Sequence, residues 1–70
     1  MKLSARNQFK GKVVGLEKGA VNGVVKIEIA PDVVITSVIT NASIEELGLK
    51  EGGEAVAVIK ASNVMVGTDA

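Results

Sequence analysis

Val33-Val34-Ile35-Thr36-Ser37-Val38-Ile39-Thr40-Asn41-Ala42-Ser43-Ile44-Glu45-Glu46-Leu47-Gly48 is the stretch in which the hydrophobic period changes, and the fold class turns on it. Its first half is dominated by valine, isoleucine and threonine, side chains that suit a pleated backbone. Val33 to Thr40 reads as a strand apolar enough to be buried on both faces. At Asn41 the strand pattern stops. Ser43-Ile44-Glu45-Glu46 fits a capping box, with Ser43 as N-cap and Glu46 three residues on. Gly48 suits a left-handed helix end, so the helix is one or two turns long.

Upstream, Asn7 to Leu16 reads as a strand with Gly11 and Gly15 as bulge or bend points. Glu17 to Gly23 holds two turn signals, Lys18-Gly19 and Asn22-Gly23, the second a strong hairpin signal. Val24 to Ala30 alternates, with Val25, Ile27 and Ile29 on one face and Lys26 and Glu28 on the other. Pro31-Asp32 then interrupts the ladder, because proline has no N–H to donate. Downstream, Leu49 to Gly53 is a turn, Glu54 to Lys60 a fourth strand, and Asn63 to Gly67 a short fifth. Thr68-Asp69-Ala70 reads as a frayed end. Three strands, a short helix and two strands is the order of an OB-like barrel: all-β, five-stranded, with the helix between strands 3 and 4. Closure would remove the edges that make a valine-rich sheet prone to aggregate. Residues 1–70 read as one domain, with no repeat, linker or low-complexity tract.

Seventy residues make a marginal core, and small domains compensate with disulfides, metals or self-association. The chain has no cysteine and no histidine, which leaves no thiolate or imidazole as a direct metal ligand. Association with copies of itself remains, and a 47% apolar composition supports it. Eight basic and eight acidic residues cancel, and Phe9 is the only aromatic residue. A nucleic-acid binder needs a basic face or stacking platforms, so no nucleic-acid partner is expected. Met1 to Arg6 has no apolar core of a targeting segment, and no stretch is long enough to span a bilayer. The expectation is a soluble, cytoplasmic protein without a membrane partner.

An enzyme is hard to build from this inventory, because no histidine can act as general base and no thiol as nucleophile. A serine–lysine pair, Ser4 or Ser62 with Lys60, is the one formal option, and it needs a buried neutral lysine. Three segments are better suited to holding an anion. Ser4-Ala5-Arg6-Asn7-Gln8 places a hydroxyl and a guanidinium two residues apart on one side of an extended chain. Thr40-Asn41-Ala42-Ser43 sets two hydroxyls at a helix start, where unpaired N–H groups also favour anions. Lys60-Ala61-Ser62-Asn63 adds an ammonium and a hydroxyl. No carboxylate lies in the first or third segment. A site of donors alone favours unprotonated molybdate, tungstate or sulfate over phosphate, which carries a proton near neutral pH. Each segment also has an ordinary explanation. Arg6 and Lys60 read equally as solvated charges, Ser43 as a cap, Thr40 as a strand residue and Asn63 as a turn.

Three runs resemble the molbindin (Mop) family. They are Ser4-Ala5-Arg6-Asn7-Gln8-Phe9 with Gly11-Lys12-Val13; Ile39-Thr40-Asn41-Ala42-Ser43 with Glu46-Leu47-Gly48-Leu49; and Val58-Ile59-Lys60-Ala61-Ser62-Asn63-Val64. The likeness covers essentially the whole chain, in order and spacing. It implies an OB-like fold and a homohexamer, a trimer of dimers that exchange strands. It implies molybdate or tungstate bound at subunit interfaces by a free-standing, non-enzymatic oxyanion store. Carried over by position, the site takes Ser4, Ala5, Arg6, Lys60, Ala61 and Ser62 from one subunit and Thr40 and Ser43 from its neighbour. A second class of site near the threefold axis falls on the Gly19–Gly23 loop, with Gly19 and Asn22 the candidates. A nucleic-acid-binding OB domain and a purely structural assembly module stand as the alternatives.

Overall fold

One long strand, β1 (Asn7–Lys18), is shared by two neighbours. Its first half pairs antiparallel with β4 (Glu54–Ile59), and its second half with β2 (Asn22–Ala30). Lys12 is the handover, opposite both Glu54 and Glu28. The structure, a computed structural model, describes residues 1–69. Gly11 permits the handover, since a Cβ there would run into the Glu28 carbonyl oxygen. The register slips between Val13 and Gly15, a bulge where glycine was expected to mark one. Val13 N–H and C=O are instead bound to Gly53 and Gly52, at 2.9 and 2.8 Å, which pins the turn before β4 onto β1.

β3 (Val33–Thr40) completes an antiparallel sheet in the order β3-β2-β1-β4. Val13, Val25 and Ile27 from the sheet, Ala57 from β4 and Ile44 from the helix α1 (Asn41–Glu46) form the buried core. Among the described residues, no helix is long and apolar enough to cross a membrane.

Five expectations are corrected. The sheet has four strands and is a half-barrel, because β3 and β4 stay unjoined; an apolar cleft of about 660 Å³, walled by Val25, Ile27, Ile35, Ile39 and β4, lies between them. The fifth strand expected over Asn63–Gly67 is not formed within the chain. Ala61–Asn63 turns as a single 3₁₀ turn, and Val64, Met65 and Val66 lie exposed with no ladder to join. A strand needs a partner edge, and β-favouring composition does not supply one. Residues 64–69 contain no helix or strand, and Ala70, the last residue of the expected frayed end, lies outside the described residues. β3 is also not buried on both faces: Ile35, Ser37 and Ile39 are half-buried, while Val34 and Val38 face outward.

The two remaining corrections concern turns. Helix α1 begins two residues before the expected cap. Thr40 holds the extended cap conformation, and its Oγ1 accepts the Ser43 N–H at 3.0 Å. Ser43 is therefore inside the helix and Glu46 closes no box with it. The other end behaves as expected. Gly48 has φ 64°, its N–H reaches Glu45 C=O, and Leu49 N–H reaches Ile44 C=O, the paired bonds of a Schellman end. Asn22-Gly23 does not form the hairpin corner, since neither residue has positive φ. The chain turns at 19–21, closed by Gly19 N–H to Asn22 C=O at 2.8 Å. Gly23 is needed for closeness instead: a Cβ there would stand 2.6 Å from Ile44 Cδ1 and 2.9 Å from Glu17 O.

Candidate oxyanion-binding site

The β1–β4 ladder ends at the pair Asn7–Ile59. The next residues outward on the two segments are Arg6 and Lys60, then Ala5 and Ala61, then Ser4 and Ser62. The fold thus brings the first and third donor segments to one end of the sheet, just beyond the last ladder pair. Arg6, Lys60, Ser4 and Ser62 are all exposed there. Asn7 Nδ2 bonds Ile59 O at 3.3 Å, and Gln8 Nε2 bonds the Ala5 carbonyl at 3.0 Å, so both flanks of Arg6 are tied back. Lys60 opens the 3₁₀ turn, with Asn63 N–H on its carbonyl at 2.8 Å. The amides of Ala61 and Ser62 lie in the first positions of that turn, where no earlier carbonyl of the turn can receive them.

Thr40 and Ser43 lie at the opposite end. Thr40 pairs with Asn22 where β2 begins, and β2 begins beside Lys18, the last residue of β1. Twelve residues of β1 separate the two ends, roughly 35 Å of extended chain. One chain therefore does not assemble the full donor set.

At that end the Thr40 hydroxyl is occupied twice, accepting from the Ser43 amide and donating to Ser43 Oγ at 2.9 Å. The proton of the Ser43 hydroxyl is thereby directed away from Thr40. With six residues, α1 has too few aligned peptides for its dipole to dominate, so the hydroxyls are the donors that count here. Gly19 and Asn22 sit beside this pair rather than beside Arg6. The Gly19 N–H is committed to Asn22 O, and its carbonyl accepts Asn41 Nδ2 at 2.9 Å; Asn22 is exposed.

Two residues absent from the sequence-derived set belong to this corner. Asn41 joins α1 to the β1–β2 turn, and nothing in its neighbours Thr40 and Ala42 foretells a contact 22 residues away. Lys18 reaches Glu45 at 2.9 Å and, through that hydrogen bond and its charge, lowers the Glu45 carboxyl below its ordinary pKa. The large apolar cleft between β3 and β4 is a different place. Its walls are mostly aliphatic, and Glu54 is their one charged side chain, so it does not suit an anion. Among the described residues, no three histidine, cysteine, aspartate or glutamate side chains cluster as a metal site.

Residues 3–66 match the model of the TOBE domain family. The chain is a TOBE-domain protein of the Mop group. It is 58% identical over 66 residues to molybdenum-pterin-binding protein 1 of Clostridium pasteurianum, covering 94% of this chain and 97% of that one. The structure of MopII from the same organism superposes with a TM-score of 0.89 at 55% identity, covering 96% of this chain and all of MopII. The cytoplasmic molybdate-binding protein ModG, solved with molybdate bound, superposes at a TM-score of 0.88 and 49% identity. That match takes in 93% of this chain and 46% of ModG. The Mop likeness extends over both donor ends, so the half-barrel and its helix are features of the group.

Proposed function

We propose that this protein binds molybdate, and tungstate with it, as a non-enzymatic cytoplasmic oxyanion store, at interfaces between its own copies. One observation carries the reading. Arg6 and Lys60 are the first residues beyond a shared ladder, framed by Ser4 and Ser62 and free of carboxylates, while the complementary hydroxyls Thr40 and Ser43 lie at the far end of the same chain. An interface in which the Arg6 end of one copy meets the Thr40 end of another completes a cage of donors. Two cations offset the dianion, and the hydroxyls with the Ala5 and Ala61 amides complete the shell. The Asn22 side chain, with Gly19 beside it, is proposed for a second oxyanion site near the threefold axis of the assembly.

Surface area supports assembly. A folded monomer of 7.2 kDa exposes roughly 4,100 Å², whereas this chain exposes 5539 Å². The excess includes Val64, Met65 and Val66, at 50, 94 and 91% exposure. Paired with a partner's free edge at the β3–β4 cleft, this segment would supply the fifth strand and close the barrel, as a strand-exchanged dimer within a homohexamer requires. The relatives' names couple molybdenum to a pterin. With Phe9 as the single aromatic residue and donors grouped around two cations, the free oxyanion is the ligand favoured here. Neutral net charge argues against nucleic acid as a partner.

The test is calorimetric titration of the purified protein with molybdate, tungstate, sulfate and phosphate, with the assembly weighed by native mass spectrometry. Tight binding of the first two by a hexamer, with phosphate much weaker, is the expected result. An assembled protein that takes up no oxyanion would leave a structural module and defeat the proposal. Arg6→Ala and Lys60→Ala should each weaken molybdate binding by about 2–5 kcal/mol, the usual cost of removing one partner of a buried charge pair. Unchanged affinity in both would remove these residues from the site.

A further inference from the structure

Asn41 opens helix α1 and ties the β3–α1 corner to the β1–β2 turn at two points. Its N–H donates to Val21 C=O at 2.8 Å and its Nδ2 to Gly19 C=O at 2.9 Å. Its Oδ1 is buried without a hydrogen-bond partner, 3.1 Å from where a Cβ on Gly23 would stand. The side chain thus fills the space that Gly23 leaves open. A buried acceptor without a donor is a cost that an apolar side chain would avoid, so packing alone does not account for an amide here. What the amide adds is the bond to Gly19.

That bond fixes what lies on either side of Asn41. Thr40 precedes it and Ser43 follows two residues later, the two mutually bonded hydroxyls at 2.9 Å. The helix that carries them has six residues and one buried side chain, Ile44. Its other polar tie, Lys18 to Glu45, is exposed and so holds weakly. We propose that Asn41 is a positioning residue: without touching the anion, it holds the Thr40–Ser43 hydroxyl pair where an oxyanion gripped by another copy's Arg6 and Lys60 can meet it. The inference rests on the oxyanion reading given above.

Asn41→Ala and Asn41→Ser, titrated with molybdate well below their melting temperatures, should bind at least roughly tenfold more weakly, as when a residue orienting a ligand group is lost. In a Thr40→Ala/Ser43→Ala background the same substitution should cost nothing further. Lys18→Met, which cuts the other tie, should lower the melting temperature and leave Kd unchanged. Asn41 variants with wild-type affinity and only a lower melting temperature would overturn the proposal, as would a full additional loss in the double-variant background. If neither variant folds, hydrogen exchange of the Asn41 side-chain amide in the wild-type protein decides. Exchange slowed by molybdate more than that of the core β-sheet amides supports the positioning role, and slowing no greater than theirs refutes it. A wild-type protein that binds no molybdate removes the oxyanion reading and this inference with it, an outcome plainly different from selective failure of the variants.

Discussion

At Gly23 one methyl group decides whether β2 and α1 can meet. The added carbon of Gly23→Ala would press on Ile44 Cδ1, which can swing, and on Glu17 O, which cannot. We expect a loss of about 1–3 kcal/mol, the usual cost of overpacking, read as a lower urea midpoint at fixed protein concentration. Gly48 is glycine for another reason. Its φ of 64° is left-handed and no atom crowds it, so Gly48→Ala should cost about 1–2 kcal/mol through backbone strain alone. Gly48 could be assigned from the sequence because a helix end has a local signature. Gly23 could not, since its requirement comes from Ile44, 21 positions away, and the preceding asparagine suggested a turn instead. Asn41 was hidden for the same reason: the carbonyl it binds lies in another hairpin.

The elements themselves were largely legible, and their junctions less so. The alternation in β2 and the valine and isoleucine of β3 mark strands because the period of two is a property of each segment by itself. The helix was found and its start misplaced, because Thr40 and Ser43 are both competent caps. Thr40 takes the role because the chain leaves β3 in the extended conformation that a cap needs. Thr40→Val, which keeps the shape and removes the acceptor, should destabilise α1 by about 1 kcal/mol, measurable as a lowered urea midpoint. The Lys18–Glu45 pair joins strand to helix on the surface and carries a pH signature. Its folded-state carboxyl titrates below the ordinary glutamate value. Its contribution is therefore present above that ordinary value and is lost as pH falls through the lowered one. Comparing wild type with Glu45→Gln in acid unfolding should show a small difference at neutral pH that vanishes in acid, and that shrinks in high salt.

For the whole molecule, the four-strand half-barrel was legible as a barrel only through the order of its elements. The missing fifth strand was not, since a segment's composition does not say which chain it pairs with. Val66→Asp places a charge in the exposed apolar run Val64–Val66. It should shift the mass toward smaller species in native mass spectrometry, while a surface change such as Lys50→Gln should not. Molybdate should raise the melting temperature of wild type, with a stabilisation of about 2.7 kcal/mol at a hundredfold excess over Kd. A melting temperature indifferent both to dilution and to molybdate would speak against an assembly held together by its ligand.

The separation of the Arg6 and Thr40 ends along β1 has a genetic consequence. If no subunit owns a site, two crippled proteins can repair each other. A subunit lacking Arg6 still offers an intact Thr40–Ser43 end, and a Thr40→Ala/Ser43→Ala subunit still offers an intact Arg6–Lys60 end. Unfolded together and refolded in equal amounts, they should regain about a quarter of the sites by random mixing of identical interfaces. Produced separately, neither should regain any. Intragenic complementation of this kind would reveal shared ownership in a living cell, with no ligand structure needed.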